Sequence, residues 1–283
     1  MSTLRPGLHT RVRLSTAWRG GILLSLPRSD HGQRPRVHYV VLVSTPADVL
    51  AALIADDPTQ PALTFYEDTP GDSFGERIEL SRKVLGTWVA KAANALQEGL
   101  DAEPGTVVLL DVPAPHWRLA YWSLAIWSVG ATLTLDASEG ADVMITTSPD
   151  AGPAQDADEV IAVSLPALSR TFGSGLRTGV MDEAREIASF GDSFAAWDEA
   201  EPDETALVTD GQRTAYRDVV PSGATRSKAG RRPRVAITTT DPATCLHQML
   251  QCWASLGSVV LVRGSQPSFS DARMRSEGVT ALT

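Results

Sequence analysis

Residues 106–135 read TVVLLDVPAPHWRLAYWSLAIWSVGATLTL, from Thr106 to Leu135. The stretch opens on a continuous apolar run, Thr106 to Val112, interrupted by one acid, Asp111, at its end. Such a run suits a strand buried on both faces. Pro113 and Pro115 bound it, a helix is expected from about His116 to Val129, Gly130 ends the helix, and Ala131 to Leu135 forms another strand. This is a β-α-β unit, parallel and right-handed by the handedness rule for crossovers. A second copy of the pattern lies downstream. Arg234 to Thr240 is a strand, Asp241 caps a helix with Pro242 at its first position, and Leu246, Met249, Leu250 and Trp253 share one face. Gly257 ends that helix and Ser258 to Val262 is a strand. In both copies, 107–135 and 235–262, a tryptophan near the helix end precedes a glycine and a strand. Two readings stand: a duplicated module, or the ordinary echo of any α/β fold.

Outward from the first module, Thr45 caps a helix with Pro46 in its first turn, and Val49, Leu50, Leu53 and Ile54 recur on one face before Asp56, Asp57 and Pro58 stop it. Ala62 to Tyr66 and Arg77 to Leu80 read as strands of a hairpin joined by the loop Asp68 to Gly75. Ser81 caps an amphipathic helix through Leu85, Trp88, Val89, Ala92, Ala93 and Leu96, with Gly99 as its stop. Asp142 to Thr147 and Glu159 to Leu165 are short strands separated by the polar loop Ser148 to Asp158. Residues 166–233 form a loop-rich insertion: a loop at Gly173 to Gly179, one helical turn near Asp182 to Ile187, an exposed connector at Asp198 to Glu204, a strand at Thr205 to Thr209, and a mobile loop at Pro221 to Pro233. The predicted fold class is a three-layer α/β domain with a mostly parallel sheet and two similar β-α-β modules.

The chain has 283 residues, two cysteines and a formal charge of −9. That charge is uneven. Residues 1–40 hold Arg5, Arg11, Arg13, Arg19, Arg28, Arg34 and Arg36 against Asp30, a local +6 that leaves −15 on the other 243 residues. An acidic body argues against a nucleic-acid binder. The apolar run Gly21 to Leu26 is too short for a signal peptide, and Val40 to Val43 falls far short of the ~20 residues of a membrane span. Cys245 and Cys252 make neither a disulfide framework nor a zinc site, so a reducing, cytoplasmic setting is expected. The first 42 residues are read as a basic, disordered arm or as the product of an upstream start codon with Val43 as the true initiator. Residues 43–283 are read as one α/β domain. An anion-binding tail or transit peptide is the competing reading of the arm, against its lack of amphipathic periodicity.

The familiar site motifs are absent: no glycine-rich dinucleotide fingerprint, no P-loop, no zinc-protease helix, no nucleophile elbow and no EF-hand. Gly173-Ser174-Gly175 lacks a flanking strand and helix. His116 and His247, each near the start of a crossover helix, are expected to satisfy local backbone groups as neutral imidazoles. Core packing is the expected use of Cys245 and Cys252, and Trp117, Trp122 and Trp127 fit a buried helix. One constellation remains. Ligands of open parallel sheets bind beyond the strand carboxyl ends, where this sequence puts Thr146, Thr147 and Ser148, and again Thr238, Thr239 and Thr240. The cleft candidates are therefore Thr146, Thr147, Thr239 and Thr240, whose hydroxyls suit a phosphate or carboxylate; the plainer reading is that threonine is a good strand residue. No catalytic residue and no metal ligand is expected.

Several stretches together resemble the start of the adenylate-forming enzymes, the AMP-binding and acyl-CoA synthetase superfamily. They are Pro61-Ala-Leu-Thr-Phe, Ile78-Glu-Leu, Glu103-Pro-Gly-Thr-Val-Val-Leu-Leu-Asp-Val-Pro and Leu124-Ala-Ile-Trp-Ser-Val-Gly-Ala, with Trp253-Ala-Ser-Leu-Gly-Ser-Val-Val-Leu-Val as a later helix-glycine-strand. The chain is similar to short bacterial proteins of unknown function that keep these two portions only. The superfamily grips ATP with a Ser/Thr/Gly-rich loop bearing a lysine, placed after a strand like Thr205 to Thr209. Here that strand runs into Thr209-Asp-Gly-Gln-Arg-Thr-Ala-Tyr, with a single glycine and no lysine. Ser222-Gly-Ala-Thr-Arg-Ser-Lys-Ala-Gly echoes the loop, but Arg226 replaces its middle glycine, where backbone N–H groups must approach the anion. After Thr283 no residues are left for the resemblance's adenine, magnesium and ribose motifs or for a C-terminal domain with its catalytic lysine. The resemblance thus implies a pseudoenzyme, a non-catalytic binding or interaction protein with a protein partner or a small acyl or nucleotide ligand and no predicted cofactor. The alternative is a minimal or split AMP ligase that handles ATP, AMP or CoA with another chain.

Overall fold

The computed structural model describes residues 45–173, 175–221, 232–264 and 271–282. The arm expected over residues 1–42, Ser174 and the segment Ser222 to Gly230 lie outside them. Thr45 starts α1 (Pro46–Asp56) with a capping box: its Oγ1 accepts from Asp48 N at 3.2 Å, and its own N–H donates to Asp48 Oδ2 at 2.9 Å. β1 (Pro61–Glu67) and β2 (Arg77–Ser81) form the expected antiparallel hairpin, and Ser81 caps α2 (Arg82–Asn94) by accepting from Val84 N. A π-helical turn, Ala95–Gly99, prolongs α2. Gly99, expected as the helix stop, lies inside that turn, and the left-handed residue after it is Asp101, at φ 51°.

The first module is β3 (Val107–Asp111), α3 (Trp117–Ser128) and β4 (Thr132–Thr134). Next come β5 (Val143–Thr146), α4 (Gly152–Asp156), β6 (Glu159–Ala162), β7 (Val180–Asp182), α5 (Glu183–Glu186), β8 (Thr205–Thr209), β9 (Gln212–Ala215) and α6 (Tyr216–Val219). The second module is β10 (Arg234–Ile237), α7 (Pro242–Ala254) and β11 (Ser258–Arg263), followed by α8 (Asp271–Ser276) and β12 (Ala281–Leu282). The strands form two sheets, in the orders β12-β10-β11-β1-β2 and β7-β6-β5-β3-β4-β8-β9. Every pairing is parallel except the hairpins β1–β2 and β8–β9. α3 is buried from Trp117 to Trp127 and mostly apolar on all sides, with Arg118 and Ser123 as the exceptions. It touches β3 and β4 of one sheet and β1 of the other, and packs on α1, α2 and α7. A helix so clothed belongs inside the protein, and it makes the middle of a sheet–helix–sheet arrangement.

The fold is the expected mostly parallel, layered α/β class, with each module in its own sheet. The order β5-β3-β4-β8-β9 repeats as β12-β10-β11-β1-β2, so the likeness extends beyond the modules to the strand on one side and the hairpin on the other. Its details repeat too. The pairing of each hairpin shifts at one alanine, Ala62 between Pro61 and Leu63 and Ala206 between Thr205 and Leu207. The carbonyl of that alanine accepts from the tryptophan of the crossover helix, Trp253 Nε1 to Ala62 O at 3.0 Å and Trp127 Nε1 to Ala206 O at 2.8 Å. Arg82 and Tyr216, each the first residue of the helix after the hairpin, bond the chain leaving that crossover helix, through Leu256 O and Ala131 O, both at 2.7 Å. Independent α/β units share strand order readily, but a shared bulge carrying a shared tryptophan bond favours duplication.

The two helix-ending glycines differ. Gly130 has φ 80°, as a left-handed terminus requires, whereas at the end of α7 the left-handed residue is Leu256, at φ 58°. Gly257 is there for room: a Cβ on it would lie 2.6 Å from both Cys252 Sγ and Pro233 O. Gly257→Ala is therefore expected to cost about 1–3 kcal/mol by overpacking, read as a lower urea midpoint, and an unchanged midpoint would refute the close approach.

The stretch 166–233 is more structured than expected. Besides the expected strand at Thr205–Thr209 and the expected helical turn, α5, it holds β7, β9 and α6, and α2 with the π-helical turn after it grips residues 188–197 through a row of side chains. Lys91 Nζ donates to Ala188 O and Phe190 O, Asn94 Nδ2 to Gly191 O and Ser193 O, and Gln97 Nε2 to Ala195 O, while Gln97 Oε1 accepts from Trp197 N. Three residues spaced i, i+3, i+6 thus satisfy a segment that has no strand partner.

Candidate functional site

Parallel strands deliver their carboxyl ends to one side, and here both sheets open onto the same cleft. β3 contributes Asp111 and then Pro113 and Ala114, the end of β5 contributes Thr147 and Ser148, and the second sheet contributes Thr240 after β10 and Arg263 at the end of β11. Two adjoining hollows, each of about 520 Å3, share Pro113, Ala114, Thr240 and Arg263. Leu109, Leu135, Met144, Leu165 and Pro242 supply apolar wall to the hollow that holds Asp111, beside its polar groups. Gly264, at φ 118°, closes one edge so tightly that a Cβ would lie 2.6 Å from the Asp68 carbonyl carbon.

The four threonine candidates divide. Thr147 and Thr240 line the cleft together. Thr146 is fully buried behind it, donating from Oγ1 to Asp111 Oδ2 at 2.6 Å and accepting from Ser148 N at 2.9 Å. Thr239 is not among the lining residues; its Oγ1 accepts from Asp241 N at 3.2 Å, in the turn that starts α7. Asp241 itself caps α7 by accepting from Thr244 N, which holds its carboxyl below the usual carboxylate range. Threonines at strand ends bond the backbone two residues on, and that local use claims two of the four.

Two charged residues of the cleft, Asp111 and Arg263, escape a search for threonines. Asp111 is the acid that interrupts an otherwise apolar strand, and its carboxylate is held by Thr146. Arg263 closes the valine-rich strand β11, with Nη1 2.7 Å from Oε2 of the buried Glu67, whose Oε1 accepts from Thr69 N at 2.8 Å. The signal for both was a charge at the carboxyl end of an apolar strand.

The other sequence candidates serve structure. His116 is the N-cap of α3, its Nδ1 accepting from Arg118 N at 3.1 Å, and burial together with the charges of Arg118 and Arg263 holds its imidazole well below its usual pKa and neutral. His247 is exposed on α7. Cys245 and Cys252 are buried, and burial pushes both thiols up to about 12, which leaves no thiolate for nucleophilic work. Among the described residues no group of three His, Cys, Asp or Glu side chains is placed to hold a metal, and no helix is long and apolar enough to cross a membrane.

The place where the resemblance puts an ATP-gripping loop is occupied by a tight turn. β8 reverses at once into β9 through Asp210, at φ 50°, and Gly211, at φ 71°. Two successive positive φ angles are the mark of a type I′ hairpin, for which Asp-Gly is a preferred pair. On β9, Arg213 bonds Glu139 at 2.6 Å. A two-residue turn has neither the run of small residues nor the lysine that a triphosphate requires, so ATP does not fit this turn.

Two sheets around a helical layer, with a cleft at the strand carboxyl ends, have the fold of the N-terminal part of acyl-CoA synthetases. The acyl-CoA synthetase of Brucella canis superposes with a TM-score of 0.66 at 16% identity, over 84% of this chain and 46% of that one. The acetoacetyl-CoA synthetase of Streptomyces lividans gives 0.61 at 16% identity, over 84% and 42%. The NpsA N-terminal subdomain of Klebsiella oxytoca, in complex with 3-hydroxyanthranilyl-AMSN, gives 0.59 at 14% identity, over 87% and 62%. The chain thus spans about half the length of the solved synthetases it resembles, and at such identities the likeness is one of fold. No family model matches the chain. It belongs to the TIGR03089 family, being 31% identical over 242 residues to the TIGR03089 family protein of Mycobacterium tuberculosis, across 83% of this chain and 96% of that protein.

Proposed function

We propose that this chain is a non-catalytic, adenylate-forming-enzyme-like protein that binds a small ligand in the cleft at its strand carboxyl ends. The observation that carries the reading is the Asp210–Gly211 turn. It stands where ATP-binding relatives are expected to carry a long, small-residue loop, while the cleft beside it keeps a volume of about 520 Å3 in each hollow, within the ordinary range for ligand pockets. The test is ATP–pyrophosphate exchange with a panel of carboxylic acids. Exchange is expected to stay at background with the isolated chain, and clear exchange would overturn the reading. A thermal-shift screen checks the binding half, because a ligand at 100 times its Kd stabilises a fold by about 2.7 kcal/mol.

A second reading, a split AMP ligase, is favoured by one observation: the chain covers 46% of the Brucella canis synthetase. Under it a partner chain supplies the grip on ATP, AMP or CoA, and exchange would appear only with that partner added. The proposed setting is cytoplasmic, supported by two buried cysteines that are not joined to each other.

A further inference from the structure

Cleft volume and apolar walls say little about which small molecule enters; the charges in the lining say more. Among the described lining residues there is one cation, Arg263, and one carboxylate, Asp111. They are not equivalent. The Arg263 guanidinium is already compensated by the buried Glu67 at 2.7 Å, and Glu67 is fixed from its other oxygen by Thr69 N. Asp111 makes no ion pair among the described residues. It is solvent-facing, and the Thr146 hydroxyl that donates to it at 2.6 Å orients the carboxylate without neutralising it. Asp136, Asp150 and Asp241, the chain neighbours of the lining residues Leu135, Ala151 and Thr240, carry the same sign and line neither hollow.

An anionic ligand would therefore enter against Asp111 with no uncompensated cation among the described residues to receive it. An ammonium would meet a preoriented acceptor, with the hydroxyls of Thr147 and Ser148 beside it. We propose that this cleft selects an apolar ligand bearing an amino group, with Asp111 as the residue that takes the charge, and discriminates against carboxylates and phosphates. The inference rests on the reading of the cleft as a binding site and adds the charge of its occupant. The contact is a charge-assisted hydrogen bond, N–H donating to Asp111 Oδ1 or Oδ2, and the apolar body of the ligand lies along Leu109, Leu135 and Met144.

The test uses three probes with one tail, phenylbutylamine, phenylbutanol and phenylbutanoate, titrated by calorimetry into the full chain, Asp111→Asn and Ala137→Trp. Asparagine keeps the shape and the acceptor for Thr146; Ala137 is an exposed lining residue where a bulky side chain fills the mouth without entering the core. The amine is expected to bind at least about tenfold tighter than the acid, the ratio one charge-assisted hydrogen bond supports. The alcohol should fall between them, Asp111→Asn should bring the amine to the level of the alcohol, and Ala137→Trp should weaken all three. Acid binding as tight as amine binding, if weakened by Ala137→Trp, overturns the charge preference and leaves the cleft standing. An amine preference that survives in Asp111→Asn overturns the assignment to that residue. Absence of binding by any probe overturns this inference and the cleft reading together.

Discussion

Replacing Arg82 with alanine is expected to lower stability by about 3–5 kcal/mol, the range for removing one partner of a buried pair. Arg82 follows the N-cap of α2 and is only 1% exposed. Its Nη1 donates to Asp56 Oδ2 at 2.5 Å and to Leu53 O at 3.1 Å, at the end of α1, and its Nη2 donates to Leu256 O at 2.7 Å, beyond the end of α7. One guanidinium thus joins three helices: it is a second donor to Leu53 O, which also accepts from Asp57 N at 3.3 Å, and it bonds the Leu256 carbonyl just past α7. Arg82→Lys keeps the charge and loses the fork, so it should fall between alanine and the native chain. Tyr216 stands at the equivalent place in the other sheet with one hydrogen bond, to Ala131 O, and Tyr216→Phe is expected to cost about 1 kcal/mol. Urea unfolding of the three variants gives the comparison. An Arg82→Ala loss no larger than that of Tyr216→Phe would refute the joining role.

The sequence disclosed features that come from local chemistry. Thr45 with Pro46, Ser81 and Asp241 with Pro242 cap the helices expected of them, and the mostly apolar stretch Trp117 to Trp127 announces a helix covered on every side. It did not disclose that the two modules lie in separate sheets, because strand periodicity records burial and is silent about which neighbour covers a strand. The β8–β9 hairpin was readable from Asp210-Gly211, but comparison with a phosphate loop drew attention away from the commonest meaning of that pair. Lys91, Asn94 and Gln97 look like the wet face of an amphipathic helix; only the folded chain shows that residues 188–197 lie on it. At the cleft, the rule of strand carboxyl ends pointed to four threonines, of which Thr147 and Thr240 line the hollows. The charged groups there, Asp111 and Arg263, are single residues whose meaning depends on partners far away in sequence, Thr146 for one and Glu67 for the other.

Methionine in place of Arg118 is expected to destabilise the chain severely at neutral pH and much less in acid. Arg118 and Glu183 are both buried, with Nη1 and Oε1 2.6 Å apart; Tyr121 donates its hydroxyl to the same carboxylate oxygen, while Glu183 Oε2 makes no hydrogen bond among the described residues. Burial pushes the Glu183 carboxyl above its usual range, and Arg118 and Tyr121 pull in the opposite direction. Without Arg118 the pull weakens and the carboxyl rises further. An acid whose folded pKa is raised holds its proton more tightly folded than unfolded, so acidification favours the fold and stability is lost as pH climbs through the raised value. At about pH 8 the variant should therefore bear the cost of an unpaired buried carboxylate, about 3–5 kcal/mol. At about pH 5 the carboxyl takes up a proton and most of that cost disappears. Glu183→Met added to Arg118→Met removes the stranded charge and should recover most of the loss at about pH 8, because apolar groups of similar volume replace buried pairs at little cost. Urea unfolding of the single and double variants at both pH values decides it. A loss of equal size at the two pH values, or a double variant no better than the single, would mean that the arginine acts through its stacking on Trp117, over whose ring it lies at 4.4 Å, and not through its charge.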